Sequence, residues 1–352
     1  MSKLVVNLVT WNGEKYISFL FDSLKKQTYK DWELKILDNG SHDNTILEIK
    51  KQIKDFPVEV ELIKGKDNLG FAAGHNKLYK KNSSEYILLL NQDMYLEEDC
   101  LEKLVKFMDE NRDASVVSPR LMRWDFVNKK FTNKIDTLGL KVLRSRRVTD
   151  IDTGKSWDEC VKGGDPSASL AEPVLSDNRR VQDDFAEVFG VSGAMPMFRK
   201  VVVDEVGLFD EGFVSYKEDV DLAFRLRGAG YKAFVLLDAV AYHDRSAEGL
   251  EKKSDWFASK NKKKQSNWVR YHSYKNHLIT LYKNEYWQNF LLDLPWVLWY
   301  ELKKFGWFLL FDRGVLKGLK DIVKMKKEIK DKREKIKDLR LISWREIRVW
   351  FK

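Results

Sequence analysis

Four short apolar segments in the first hundred residues constrain the fold more than any other feature of this sequence. They are LVVNLVTWN (4–12), WELKILD (32–38), VEVELIKG (58–65) and YILLLNQD (86–93). Apolar runs of this length, rich in β-branched residues and leucine, indicate strands. Between them lie segments with helical spacing of apolar residues, such as EKYISFLFDSLKKQ (14–27). Strands that alternate with helices predict an α/β fold with a mostly parallel central sheet and flanking helices.

The charge of the chain is concentrated in its last hundred residues. Residues 251–352 hold 26 of the 63 Lys and Arg but only 12 of the 54 Asp and Glu, so the first 250 residues are slightly acidic. Eight of the twelve tryptophans also follow residue 250. A chain of 352 residues that is 43% hydrophobic can bury a large core. We therefore predict a main domain over 1–250 and a basic, aromatic-rich helical region over 251–352.

Cysteine content and the N-terminus indicate the compartment. Cys100 and Cys160 are the two cysteines, which is too few for a disulfide framework and favours a reducing environment. The segment MSKLVVNLVTWN has one early lysine and a short apolar run, which does not fit a secretory signal.

Polar clusters follow three of the predicted strands. They are Thr10-Trp11-Asn12, DNGSHDNT (38–45) and NQD (91–93). In open parallel sheets, ligands bind beyond the carboxyl ends of the strands, so we expect these clusters to line a site. The sequence contains no GxGxxG or GxxxxGK[ST] motif, which argues against a dinucleotide fingerprint or a Walker-type phosphate loop.

Two glycine-containing segments have both a structural and a functional interpretation. DNGSHDNT has ordinary turn chemistry, but Asp38 at the strand end could accept a hydrogen bond from a nucleotide base, with Asp43 as a second anchor. DNLGFAAGHNKLYK (67–80) is either a connection into a helix or a close approach of backbone to a diphosphate or ribose, with Gly70 and Asn76 as candidates. We interpret His75 as structural.

A metal site is the second candidate. Asp93 follows a strand of five apolar residues, and a carboxylate there suits Mg²⁺ or Mn²⁺ shared with a diphosphate. The alternative is a helix N-cap, a position that Asp99 or Glu97 fits better. His243 ends the predicted strand of AVAYHDRS (239–246) and could complete a metal site, although an isolated histidine is more often structural.

Three carboxylates open a helical segment at SYKEDVDLAFRLRGAGY (215–231). Acidic residues complement the dipole of a helix N-terminus, and Asp221 can pair with Arg225 one turn later. That structural interpretation accounts for Asp221. It does not account for the adjacent Glu218 and Asp219, which are candidates for a catalytic base.

Seven segments of the chain, in the order in which they occur, resemble glycosyltransferase family 2 over about residues 3–250. They are VTWN, DNGSHDNT, NLGFAAGHN, LLLNQD, VSGAMPMFRK, GLFDEGFVSYKEDVDLAFRLRGAGYKA and AYHDRS. This family comprises inverting transferases of GT-A fold. Within it the chain looks most like a rhamnosyltransferase-like bacterial branch that builds cell-surface polysaccharides. The resemblance implies a Rossmann-like GT-A domain and transfer of a sugar, such as L-rhamnose from dTDP-rhamnose, to a lipid-linked or polysaccharide acceptor.

The resemblance also implies roles for individual residues. The ones that would bind the nucleotide-sugar are Thr10, Asn12, Asp38, Asp43, Gly70, Asn76, Asn91, Asp93, Ser192 and Gly193. Asp93 matches the last acid of a DxD-like metal motif, and His243 matches a histidine that helps to hold the metal. Asn91 stands where an acid is often found, which leaves the cation fewer charged ligands. Asp219 matches the catalytic base, with Glu218 as the alternative.

The region after residue 250 has a membrane-like composition. YWQNFLLDLPWVLWYELKKFGWFLLF (286–311) is rich in aromatic and aliphatic residues, but charges interrupt it before it reaches the length of a transmembrane span. Trp, Phe and Leu beside Lys and Arg predict a helix at a membrane interface. A basic amphipathic helix is predicted after it, with an apolar stripe formed by Ile322, Met325, Ile329, Ile336 and Leu339. The stripe could instead pack on the body or pair with a second subunit in a homodimer.

The sequence therefore predicts a divalent-cation-dependent glycosyltransferase, cytoplasmic and peripheral on the inner face of the membrane. Its partners would be a nucleotide-sugar and a glycan or polyprenyl-diphosphate-linked acceptor, and not nucleic acid. The alternatives are transfer of another sugar from a UDP donor, a nucleotidyltransferase, or a catalytically silent nucleotide-sugar-binding or membrane scaffold protein.

Overall fold

The computed structural model describes residues 2–162, 184–245 and 265–352 of the chain. Its strands are β1 (Leu4–Thr10), β2 (Trp32–Asp38), β3 (Val60–Lys64), β4 (Tyr86–Asn91), β5 (Met94–Leu96), β6 (Ala114–Asp125), β7 (Lys130–Thr137), β8 (Leu140–Val142), β9 (Val148–Asp150), β10 (Phe185–Val188), β11 (Met197–Arg199) and β12 (Lys232–His243). Its helices are α1 (Glu14–Lys25), α2 (Thr45–Gln52), α3 (Phe71–Tyr79), α4 (Cys100–Glu110), α5 (Trp157–Lys162), α6 (Lys200–Val206), α7 (Glu218–Gly228), α8 (Asn267–Asn284), α9 (Trp287–Leu292), α10 (Leu294–Phe311), α11 (Lys317–Lys324), α12 (Lys326–Asp338) and α13 (Trp344–Arg348).

The central sheet is mostly parallel, as the alternation of strands and helices predicts. Its order is β10-β12-β6-β11-β4-β1-β2-β3, with β5 added to β12 and β7 added to β6. Strands β3, β2, β1 and β4 are parallel neighbours, and β6 is parallel to β12. The short β11 is antiparallel to β4 and β6 and joins the two parallel groups.

Both faces of the sheet are covered by apolar clusters. Alternate residues of β4 separate cleanly: Leu88 and Leu90 pack with α1 and α4, whereas Ile87 and Leu89 pack with α6 and α7. This alternation follows from the two-residue period of a strand. It also explains why YILLL (86–90) is apolar throughout, since a strand buried on both faces has no solvent side.

Residues 265–352, the described part of the region after residue 250, are mainly helical, as predicted, and pack against the main domain. The basic segment that was predicted as one helix is divided into α11, α12 and α13. Of its apolar stripe, Ile329 and Ile336 are buried, and Ile329 packs with Phe213 of the main domain and Ile279 of α8. The stripe therefore packs on the body, which was the alternative to membrane contact.

Buried ion pairs attach this region to the main domain. The guanidinium of Arg146 is fully buried and binds the carboxylates of Glu285 at 2.6 Å and Asp293 at 2.9 Å. Lys283 of α8 pairs with Asp210 at 2.6 Å and Asp221 at 3.0 Å. The predicted division at residue 250 thus follows composition, while the two parts share a buried polar interface.

Among the described residues, no helix combines the length and the apolar composition that crossing a membrane requires. The longest apolar segment is split at the buried Asp293 into α9 and α10.

Candidate active site

The carboxyl ends of three neighbouring strands bring the first predicted cluster together. In the parallel register Thr10 lies opposite Asp38, and Val9 lies opposite Asn91. Thr10, Asp38 and Asn91 therefore share one edge of the sheet, as predicted from the polar residues that follow each strand.

Asp38 is fully buried and organises the two loops at this edge. Its carboxylate accepts hydrogen bonds from the Ser41 N–H (3.1 Å) and hydroxyl (2.5 Å) and, more weakly, from the Thr10 hydroxyl (3.4 Å). Asn12, in the left-handed region at φ 46°, donates its N–H to the Ser41 hydroxyl and accepts the His42 N–H. This geometry fixes the loop that follows β2 against the loop that follows β1.

Trp11 is a residue that sequence reasoning placed in the cluster but did not select. The amide of Gln92 accepts the Trp11 N–H at 2.9 Å and donates to the Trp11 carbonyl at 3.0 Å, which holds the backbone against the end of β4. The indole is 48% exposed at the sheet edge. An exposed tryptophan on a fixed backbone is a ready stacking surface for a base. The signal available in the sequence was an aromatic residue between two selected polar ones.

Asp43 and Asn76 are engaged within the protein. Asp43 accepts hydrogen bonds from Thr45 and from the Glu14 N–H; burial raises the pKa of Asp43, but these hydrogen bonds lower it below its ordinary value. The Asn76 amide donates to the Phe209 carbonyl at 2.8 Å and accepts the Phe209 N–H at 3.1 Å. Both side chains thus have structural contacts, and the ligand-binding roles predicted for them remain predictions.

Gly70 is required by the backbone. It precedes α3 at φ 84°, and a Cβ there would lie 2.7 Å from a methyl group of Val214 and 2.8 Å from its carbonyl oxygen. The close contact joins the loop before α3 to the loop before α7.

His75, in α3, is fully buried beside Phe71 and Phe209, and burial lowers its pKa to about 3. The neutral imidazole fits the structural interpretation.

Asp93 and His243 meet at the other side of the edge. The Nε2 of His243 lies 3.4 Å from a carboxylate oxygen of Asp93, and its Nδ1 lies 2.9 Å from Asp136. Burial lowers the pKa of His243, but Asp93 and Asp136 outweigh it and raise the pKa to about 10. Asp136, at the end of β7, was not selected from the sequence, because a single acid in KFTNKIDT has no distinguishing pattern.

These residues fit a divalent cation that is shared with a phosphate ligand. A carboxylate and an imidazole would be its protein ligands, and the Asp136 carboxylate behind the imidazole is the usual support of a metal-binding histidine. A cation there would displace the imidazole proton. The described residues contain no group of three or more metal-binding side chains, so a cation would need further oxygen ligands from the substrate or water.

Asp219 lies beside the segment that contains Ser192 and Gly193. Its carboxylate accepts the Gly193 N–H at 3.2 Å and the N–H of its neighbour Val220 at 2.8 Å. Burial raises the pKa of Asp219 above its ordinary value. Ser192 is buried, and its hydroxyl accepts the Ala194 N–H at 3.4 Å.

Glu218 is the more buried of the two adjacent acids. Its Oε2 is buried and has no hydrogen-bond partner in the described part of the chain. Burial, with a smaller contribution from Asp219, raises the pKa of Glu218 to about 8. Asp219, by contrast, is partly exposed and is held by two N–H groups.

The third acid of the group has the structural role predicted for it. Arg225 donates to Asp221 at 3.0 Å, and its guanidinium also binds the carbonyl oxygens of residues 206–208. Asp221 is further bound by Lys283 and Asn284 of α8, which the sequence did not predict. Helix α7 ends at Gly228, and Gly230, two residues later, has the positive φ of 79° that is typical of a glycine after a helix C-terminus.

Arg245 contacts the acid behind His243 and is influenced by the charge of Asp219. It lies 2.8 Å from Asp150 and 3.5 Å from Asp136, the residue that binds His243. Burial lowers the pKa of Arg245, but Asp150, Asp136 and Asp219 outweigh it and raise the pKa. The carboxylates of Asp93, Asp136, Asp150 and Asp219 and the guanidinium of Arg245 therefore belong to one electrostatic cluster.

Comparisons with known proteins agree with this architecture. The uncharacterized glycosyltransferase YfnE of Bacillus subtilis (strain 168) is 26% identical over 258 residues, which are 69% of this chain and 64% of YfnE. The chain thus spans less than two thirds of the length of that relative.

Two solved structures share the GT-A fold at low sequence identity. GalNAc-T7 with UDP, GalNAc and Mn²⁺ has a TM-score of 0.58 at 12% identity, over 80% of this chain and 48% of that one. The mannosyltransferase PcManGT from Pyrobaculum calidifontis, in complex with GDP-Man and Mn²⁺, has a TM-score of 0.50 at 14% identity, over 95% of this chain and 86% of that one. The model of the family described as glycosyl transferase family 2 matches residues 6–207, and the chain belongs to this family.

Proposed function

We propose that this protein transfers a sugar from a nucleotide-sugar to an acceptor hydroxyl in a single inverting displacement, with Asp219 as the general base. The observation that carries the proposal is the chain of contacts from Arg245 through Asp136 to His243 and Asp93, with Asp219 near enough for its charge to raise the pKa of Arg245. This arrangement supports a base and a pair of cation ligands beside one sheet edge.

The roles of the acids follow from their surroundings. Asp219 is oriented by two N–H groups, and a raised pKa makes it a stronger base, so it can take the proton of an acceptor hydroxyl within hydrogen-bond reach. Glu218 is buried, burial raises its pKa, and its Oε2 has no hydrogen-bond partner in the described part of the chain, so Glu218 is less well oriented for that role. We therefore assign the base to Asp219 rather than to Glu218.

The departing diphosphate needs compensation of its charge. Asp93 and His243 would hold a divalent cation, which supplies Lewis-acid stabilisation of the leaving group. Both solved structures described above were obtained with Mn²⁺, which supports Mn²⁺ as the first ion to test.

We propose that the base of the nucleotide stacks on Trp11 and donates an N–H to Asp38. Thymine and uracil present the same N–H and carbonyl pattern, so Asp38 suits either. The solved structures hold UDP and GDP-Man, so the fold accommodates different bases. dTDP-rhamnose, which the sequence resemblance favours, is the donor we propose to test first, and UDP-sugars are the alternative.

The enzyme assignment is tested by donor hydrolysis. A panel of dTDP-, UDP- and GDP-sugars is incubated with the wild type and with Asp219→Asn, with and without Mn²⁺ or Mg²⁺. We expect hydrolysis of at least one donor that needs the cation, and a loss of about 10²-fold or more in the variant. A wild type that neither binds nor hydrolyses any nucleotide-sugar would refute the function and leave the silent binding protein or scaffold as the alternative.

We also propose that the outer face of α9 and α10 binds an anionic membrane surface from the cytoplasmic side. Its exposed apolar side chains are Trp287, Phe290, Leu291, Leu292, Trp296, Leu298, Trp299, Leu302, Phe305, Leu309, Leu310 and Phe311. A continuous exposed apolar face of this extent marks an interaction site. Exposed cations follow at Arg313, Lys317 and Lys320, which suits acidic headgroups. A lipid-linked acceptor would then lie near the active site.

Vesicle flotation tests the membrane proposal. Deleting residues 286–352 would remove buried partners of the main domain, so the sharper variant is Leu302→Asp with Leu310→Asp. We expect the wild type to float with phosphatidylglycerol-containing vesicles and the double variant to remain at the bottom. The matched control is Val127→Asp, at an exposed apolar residue of the β6–β7 hairpin. Equal flotation of the double variant would refute this assignment, and a concentration-dependent dimer without flotation would assign the face to a second copy.

A further inference from the structure

The loop that precedes the proposed base is held in an unusual backbone conformation. Within residues 213–217, Val214, Tyr216 and Lys217 have φ values of 63°, 70° and 73°. None of them is a glycine, and such conformations cost of order 1–3 kcal/mol each unless the surroundings fix them. Glu218 and Asp219 follow this loop directly, so its conformation sets where α7 begins and where the Asp219 carboxylate points.

A single side chain from α8 binds this loop at three points. The Asn276 Nδ2 lies 2.9 Å from the Phe213 carbonyl oxygen, 2.9 Å from that of Ser215 and 2.8 Å from that of Tyr216. Asn276 is fully buried. Because carbonyl oxygens only accept hydrogen bonds, the Asn276 amide must present its NH₂ group to them. The flipped amide would leave these three carbonyl groups without this donor.

The same helix also holds α7 on the other side of the base. Lys283 and Asn284 bind the carboxylate of Asp221, two residues after Asp219. Asp219 therefore lies between two attachments that both originate from α8. Neither attachment touches the acidic pair directly, since Asn276 binds carbonyl groups before it and the other contacts are to Asp221.

We propose that Asn276 is a positioning residue for the base: it fixes the strained 213–217 loop and, through it, the direction of the Asp219 carboxylate. This inference rests on the assignment of Asp219 under the proposed function. It makes a residue from the basic C-terminal region part of the active-site support. A displaced general base loses rate steeply, by about 10²-fold for a shift near 1 Å.

The test compares two fully buried asparagines of the same region. Asn276→Ala removes the three hydrogen bonds to the loop. Asn289→Ala removes the hydrogen bond that Asn289 donates to the Trp344 carbonyl and the one that it accepts from Arg348, neither of which involves the loop. Donor hydrolysis is measured for both on the full-length protein, with nucleotide Kd and Tm as checks on folding. We expect Asn276→Ala to lower kcat by about 10- to 100-fold while KM and nucleotide Kd stay within about twofold. We expect Asn289→Ala to keep its kcat.

A double variant separates positioning from general weakening of the structure. If Asn276 acts through Asp219, adding Asn276→Ala to Asp219→Asn should not lower kcat further. A further loss of kcat in the double variant, an equal loss in Asn289→Ala, or a kcat of Asn276→Ala within twofold of the wild type would each overturn the proposal.

Hydrogen exchange provides a readout that does not depend on turnover. The amides of residues 213–217 should exchange faster in Asn276→Ala than in the wild type, and those of β1–β4 should not. Unchanged exchange in the loop would overturn the role of Asn276 itself. A wild type that turns over no nucleotide-sugar would instead remove the base assignment, and with it the catalytic part of the inference, so the two failures are distinguishable.

Discussion

Replacing Lys283 with methionine should lower the free energy of unfolding by about 3 kcal/mol. The ammonium group is buried and pairs with Asp210 at 2.6 Å and Asp221 at 3.0 Å, both of which are also buried. Removing one partner of a buried ionic group typically costs about 3–5 kcal/mol, because a charge is left uncompensated. Here Asp221 keeps Arg225, and Asp210 keeps Lys332, so we expect the lower end of that range.

The measurement is urea unfolding of the full-length protein at pH 7. The matched control is Lys81→Met, whose ion pair with Glu61 lies at the surface with side chains 51% and 42% exposed. Exposed pairs contribute about 0–1 kcal/mol, so this variant should unfold almost as the wild type does. If Lys283→Met costs no more than Lys81→Met, the buried pair does not stabilise the contact between α8 and the main domain, and the reasoning is wrong.

The same contact predicts a pH dependence. Burial raises the pKa of Asp210, but Lys283 and Lys332 outweigh it and lower the pKa from 3.8 to about 2. Because the folded-state pKa lies below the unfolded one, this stability is present above about pH 4 and is lost as the pH falls towards 2. The group contributes roughly 2 kcal/mol, from about 1.4 kcal/mol per pKa unit. Urea unfolding between pH 5 and pH 2 should show this loss in the wild type and a smaller one in Lys283→Met.

Three further predictions concern the site. Trp11→Ala should weaken nucleotide binding about tenfold or more by calorimetry, from a stacking loss of about 1–3 kcal/mol; an unchanged Kd would contradict the stacking role. Asp136→Asn should weaken Mn²⁺ binding by about 10- to 100-fold in a calorimetric titration, because it removes the support of His243; equal Mn²⁺ affinity would exclude this support. Gly70→Ala should lower the free energy of unfolding by about 1–3 kcal/mol in urea because Gly70 has a positive φ. Gly306→Ala in α10 is the control, since an added Cβ there would have no heavy atom within 4 Å, and it should be neutral or stabilising.

The sheet edge could be predicted from sequence because its residues follow a local rule. Thr10, Asp38 and Asn91 each end a parallel strand, and such ends meet at one edge. The Asp221–Arg225 pair was also predictable, since residues four apart on a helix are neighbours.

Other parts of the site depend on contacts between distant segments. Asp136 supports His243 across 107 positions, and Asn276 binds a loop about 60 positions earlier. No spacing or periodicity marks such partners, because they are defined by tertiary packing. Asn76 is a related case: its segment has the composition of a ligand-binding loop, and its amide also forms hydrogen bonds with the backbone of Phe209, which the sequence did not indicate.

The boundary at residue 250 illustrates what composition does and does not determine. Charge and tryptophan content change abruptly there, and the described residues after it, 265–352, are mainly helical. Yet Asn276 and Lys283, both beyond that boundary, bind the segment that carries the proposed base. The face that we assign to the membrane and the residues that hold the base therefore belong to the same packed group of helices. Binding of α9 and α10 to a lipid surface would then fix the orientation of the active site relative to that surface, because α8 joins the two.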